Sequence, residues 1–116
     1  MWRALPPQRA AIRLLRAARE RFDLDPLAIH VNYLINLASR DPVIRRRSVD
    51  AFRGELERAT AIGAEYLVLH PGSYRGGTVE GGIAALVEAM GLVFANLHFG
   101  LWCIRKFWRP RPVKGR

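Results

Sequence analysis

Two histidines, His30 and His70, close two short apolar runs, Leu27-Ala28-Ile29-His30 and Tyr66-Leu67-Val68-Leu69-His70, and stand forty residues apart. Forty residues is the span of one strand–helix–strand step. In a parallel α/β architecture the C-terminal ends of neighbouring strands lie side by side, at the face where ligands bind. Neutral imidazoles placed there offer nitrogen lone pairs that can share one metal ion. The plainer alternative is a pair of strand-end histidines that only hydrogen-bond their own loops. The third histidine, His98, sits in the apolar stretch Gly91–Ile104 and is expected to be structural.

The elements that must carry this pair are readable from spacing. Ala11, Leu15, Ala18 and Phe22 recur at three- and four-residue steps after Pro6-Pro7, with arginines between them, so a helix is expected over 8–22. Its arginines are expected to face solvent. Asp41-Pro42 announces a second helix, aspartate capping the orphan N–H groups and proline filling the first helical position. Ile44, Ser48, Phe52, Leu56, Ala59 and Ile62 then share one face, and Gly63 can end the helix in a left-handed conformation. His70-Pro71-Gly72-Ser73-Tyr74-Arg75-Gly76-Gly77 must be a loop. A third helix opens near Thr78, with Ile83, Leu86, Val87 and Met90 as its apolar side, and Gly91–Ile104 reads as either its extension or a strand. Alternation of short strands with helices of this length implies right-handed βαβ units and a parallel sheet.

Bulk properties limit the function classes. The 116 residues give room for one small domain, half apolar and a quarter charged, as in an ordinary globular protein. The lone Cys103 excludes an internal disulfide and suits a reducing, cytoplasmic setting. No secretory signal peptide is expected at the N-terminus, and Gly91–Ile104 is too short to span a bilayer, so no membrane partner is expected. The formal charge of +9 suggests nucleic acid, but residues 105–116 hold six basic side chains and no acid, which leaves the body only mildly basic.

Around the two histidines the chain resembles a known family. His30-Val31-Asn32-Tyr33-Leu34-Ile35-Asn36-Leu37 is similar to the H-x-x-Y-L-I-N-L motif of the endonuclease IV family, and Leu69-His70-Pro71-Gly72-Ser73 is similar to its H-P-G-S motif. Arg47-Ser48 through Phe52, Glu55-Leu56-Glu57-Arg58 and Ile62-Gly63 resemble the helix between those motifs, and Met1-Trp2-Arg3-Ala4 the segment after the family's first strand. The resemblance covers residues 2–90 or so. It implies a partial (β/α)8 TIM-barrel fragment with two or three parallel strands and flanking helices. It also implies a zinc-dependent endonuclease of DNA base-excision repair that cuts duplex DNA on the 5′ side of abasic sites with three zinc ions. By the same resemblance, His30 and His70 are two ligands of one zinc, and Tyr33 and Leu34 push into the DNA at the lesion. An aromatic ring suits the place of a lost stacking partner, and an apolar wedge suits a kinked duplex.

The chain also departs from that pattern. A TIM barrel usually needs about 250 residues, and Gly91–Arg116 contains no acidic residue to match the family's further ligands. Two imidazoles fall short of the three protein ligands of a catalytic zinc. Residues 1–90 are therefore expected to be a barrel segment and residues 91–116 a divergent, basic end. The chain is expected to be truncated and inactive alone, with no complete catalytic set, and to self-associate through exposed barrel edges. Two other readings remain at this point: a non-catalytic basic polypeptide that binds nucleic acid, and a fragment of a sugar isomerase-like barrel.

Overall fold

The computed structural model describes residues 5–95. Five elements follow one another: α1 (Arg9–Phe22), β1 (Ala28–His30), α2 (Pro42–Ile62), β2 (Tyr66–Val68) and α3 (Val79–Ala95). The strands pair in parallel, Ala28 beside Tyr66, Ile29 beside Leu67 and His30 beside Val68. The result is an α-β-α-β-α arrangement with two adjacent parallel strands, as expected of a segment of a (β/α)8 barrel. Among the described residues there is no third strand, and His98, Cys103 and the basic end lie outside them.

The connecting helix α2 forms where its caps dictate. The Asp41 carboxylate accepts the N–H groups of Val43 and Ile44, Pro42 takes the first turn, and Gly63 ends the helix at φ 74°. Its buried face is Ser48, Ala51, Phe52, Glu55, Leu56 and Ala59. Ile44 and Ile62, read from the sequence as part of that face, lie at its margins and stay partly exposed. Phe52 and Leu56 join Val31, Ile35, Leu37, Ala89 and Val93 in one core cluster, with Leu67, Leu69, Leu86, Met90 and Phe94 packed around it.

Helix α1 departs from its expected orientation. It buries no residue, and of the expected stripe Ala11 is exposed and Leu15 and Phe22 are 36% and 62% exposed. What ties it down is polar. Arg16 donates to the Ala61 carbonyl, and Arg19 reaches the Gly63 carbonyl and both carboxylate oxygens of Glu65. The stripe read as a core face is therefore largely open, and two of the arginines read as solvated are cross-links. Helix α3 runs on to Ala95, the extension that is one of the two readings of this stretch. Leu86 and Met90 of its expected apolar side pack on the core, while Ile83 and Val87 face solvent and Gly82, Ala89 and Val93 are buried instead. No described helix is long and apolar enough to cross a membrane.

Candidate functional site

Strand alternation decides which side chains meet at the rim. Leu67 and Leu69 pack on the core cluster, so Tyr66, Val68 and His70 point to the opposite, bare face. His30 is in register with Val68 and shares that face. His70 lies two residues beyond the end of β2, where the chain has already left the ladder.

The two imidazoles converge. His30 Nε2 lies 3.0 Å from His70 Nε2, with ring centroids 4.9 Å apart and planes tilted by 53°. The other nitrogen of His30, Nδ1, is 2.8 Å from the Val31 carbonyl. A carbonyl only accepts, so Nδ1 carries a proton, and Nε2 of neutral His30 is left as a bare lone pair. The proton shared between the two Nε2 atoms then comes from His70. Both rings are exposed to solvent at this rim.

The loop after His30 explains where the other two predicted residues stand. Val31, Ile35 and Leu37 are buried, with exposures of 3% or less. Between these anchors the chain makes a tight turn in which Asn32 Oδ1 accepts the Leu34 N–H at 2.9 Å and the Asn32 carbonyl accepts the Ile35 N–H at 3.1 Å. The apex of that turn projects from the surface at Tyr33. Tyr33 is consequently 85% exposed, while Leu34 is half-buried beside it. A phenol ring held out on a short, anchored turn is a feature that burial alone would not produce.

Further side chains organise the rim through contacts that spacing did not reveal. The Asn36 side chain accepts the Ser73 N–H through Oδ1 at 2.9 Å and donates to the Ser73 carbonyl through Nδ2 at 3.2 Å. Its own N–H donates to the hydroxyl of fully buried Ser48 at 2.9 Å. Both sit inside segments already noted, but a side-chain link between distant loops leaves no periodicity to find. Arg40 similarly donates to the Gly76 carbonyl and braces the far end of the same loop. Among the described residues no group of three or more His, Cys, Asp or Glu side chains is placed to hold a metal ion.

Comparison with known proteins agrees with this architecture. The family described as a xylose isomerase-like TIM barrel matches residues 1–98. The "Probable endonuclease 4" of Solibacter usitatus is 72% identical over 92 residues, covering 79% of this chain and 31% of that protein. Its namesake from Chloroflexus aggregans is 34% identical over 95 residues, covering 82% of this chain and 33% of that one. The crystal structure of endonuclease IV from Thermus thermophilus superimposes with a TM-score of 0.66 at 32% identity, over 81% of this chain and 34% of that one. The chain thus spans about a third of the length of the curated relatives it matches. Barrel topology, both histidine-bearing motifs and these relatives agree: the chain belongs to the endonuclease IV family of xylose isomerase-like TIM barrels.

Proposed function

We propose that this chain supplies part of the active-site rim of a zinc-dependent endonuclease acting at abasic sites in duplex DNA, a repair function exercised in the cytoplasm. In this reading His30 and His70 are two ligands of one zinc ion, and Tyr33 and Leu34 contact the DNA at the lesion. The barrel segment spans residues 1–90 and continues at least through the rest of α3, whose Val93 and Phe94 pack in the core.

One observation carries the metal assignment: two Nε2 atoms 3.0 Å apart, with the Val31 carbonyl at His30 Nδ1 favouring the neutral tautomer whose Nε2 presents a lone pair. Two zinc–nitrogen bonds of about 2.0–2.1 Å at a tetrahedral angle separate their nitrogens by about 3.3 Å. The donor set fits an ion with little movement. The carbonyl on His30 Nδ1 is also the kind of outer partner that orients metal-bound histidines. To bind, His70 must release the proton on its Nε2, so uptake of the ion releases protons or shifts the His70 tautomer.

Zinc at such a site polarises a phosphoryl oxygen or lowers the pKa of a bound water. The chain's own residues would do the rest of what this segment contributes. His30 and His70 fix the ion at the rim, and Tyr33 presents its ring to the gap left by a missing base. Half-buried Leu34 stiffens the turn that holds Tyr33 out. Among the described residues this donor set holds two protein ligands, short of the three a catalytic zinc takes, so this segment would hold the ion without turning substrate over.

The test is incision and zinc uptake by the purified chain on a duplex containing one abasic site. The expected result is uptake of zinc that is lost in His30→Ala and His70→Ala, with no cleavage above background. DNA retention that persists in both variants but disappears when residues 105–116 are removed would instead favour the basic-polypeptide reading, with a steep salt dependence.

A further inference from the structure

We propose that Asn36 is the positioning residue that sets the separation of the two imidazoles, a role that rests on reading the pair as a metal site. The ladder between β1 and β2 ends with Val31 N–H donating to the Val68 carbonyl at 3.0 Å. His70 lies beyond that last bond, so strand pairing does not place it. Past the ladder, the two loops are joined by Ala38 N–H donating to the Pro71 carbonyl at 3.2 Å and by the two Asn36 bonds to Ser73. The carboxamide thus offers Ser73 one acceptor and one donor, as the backbone of a neighbouring strand would. It continues the pairing of the two units across the segment that carries His70.

Two observations show that this clamp is built in. The backbone of Asn36 is anchored through its N–H to Ser48, which is fully buried on α2. Against its side chain packs Gly72, at φ 96°, where an added Cβ would lie 2.0 Å from Asn36 Oδ1 and 2.9 Å from Asn36 Cα. Only glycine permits both that backbone conformation and that approach. The residue two positions after His70 is therefore shaped to receive Asn36.

Chemistry separates the variants cleanly. Asn36→Asp keeps the acceptor for Ser73 N–H and loses the donor, whereas Asn36→Leu keeps the bulk and loses both. The experiment uses the full chain in wild-type, Asn36→Leu, Asn36→Asp and Arg19→Ala forms, each checked for folding by far-UV circular dichroism. Zinc chloride is titrated calorimetrically, and cross-ring nuclear Overhauser effects between His30 and His70 are recorded without metal.

Asn36→Leu is expected to weaken zinc binding by roughly 10–100-fold, the usual range for loss of an outer-shell partner, and to lose the cross-ring signal. Asn36→Asp is expected to fall between, and Arg19→Ala, remote from the rim, to bind as wild type does. A folded Asn36→Leu with wild-type affinity and an undiminished cross-ring signal would overturn the proposal. If Asn36→Leu does not fold, an Asn36→Asp indistinguishable from wild type in both measurements overturns it. A wild-type chain that takes up no zinc removes the metal reading separately, and the cross-ring signal then decides the role of Asn36.

Discussion

The two ends of the short sheet are cross-linked by opposite chemistry. At the N-terminal end of the strands, Arg19 holds Glu65 by two 2.9 Å bonds, and Glu65 also accepts the Leu27 N–H at 2.7 Å. Charge neutralises charge there, and Arg19 and Glu65 are only 15% and 23% exposed at their side chains. At the C-terminal end the links are hydrogen bonds without an ion pair: a carboxamide, a hydroxyl, backbone groups and the Arg40 guanidinium on the Gly76 carbonyl. The side chains left without a covering layer are two imidazoles and a phenol. One end uses its polar groups on itself, and the other keeps them available. In barrels of this kind the C-terminal rim carries chemistry and the opposite end carries stability, and here the two ends differ in their cross-links and in the side chains they leave exposed.

The comparison can be broken by substitutions that affect one end alone. The largest effect is expected at the rim: His30→Ala or His70→Ala should abolish zinc uptake, measured by calorimetry, while the unfolding free energy stays within about 0.5 kcal/mol of wild type because the rings are exposed. Arg19→Ala should do the reverse. Loss of hydrogen bonds to a charged partner is expected to cost about 2 kcal/mol in urea unfolding, with zinc affinity unchanged. Ser48→Ala tests the anchor between the two ends. It leaves the Asn36 N–H buried without an acceptor and should cost about 1–2 kcal/mol.

Smaller, and diagnostic in sign, is the pH dependence of the charged end. Burial pushes the Glu65 carboxyl up, but the Leu27 N–H, the Arg19 guanidinium bonds and the Arg19 charge together outweigh it and hold the group below its ordinary value of 4.5. A carboxyl lowered on folding contributes stability that is complete above about 4.5 and fades as pH falls through the lowered value. Stability should therefore decline on acidification in that window, and Glu65→Gln should flatten this part of the curve. The smallest stability effect belongs to Tyr33→Ala. With the ring 85% exposed, thermal unfolding should be unchanged, while affinity for abasic duplex over intact duplex should fall.

How much of this could be read in advance differs between elements for physical reasons. Helix α2 was legible because its signals are local: Asp41-Pro42 starts it, Gly63 ends it, and a continuous face fills the core. The convergence of His30 and His70 followed from placement, since both close short apolar runs one βαβ step apart. Helix α1 was legible as a helix but not in its orientation, because periodicity reports an apolar stripe and not what lies opposite. Arg19 turned inward, and Arg16, still exposed, reached across, because Ala61, Gly63 and Glu65 offer them oxygens at and just beyond the end of α2. The apolar side of α3 was read half correctly, since Leu86 and Met90 pack on the core whereas Ile83 and Val87 stay exposed. Small residues were passed over: Ala89 is fully buried in the core cluster, and Gly82 is buried close against Tyr74. The Asn36 clamp was illegible altogether, since it depends on two loops that meet only after the strands pair.

The most direct test of the paired-imidazole site is X-ray absorption at the zinc edge on the full chain loaded with one equivalent of zinc. The account predicts imidazole scattering from two nitrogens at about 2.0–2.1 Å, lost in the double variant His30→Ala, His70→Ala. A spectrum of oxygen ligands alone, identical in wild type and variant, would contradict it.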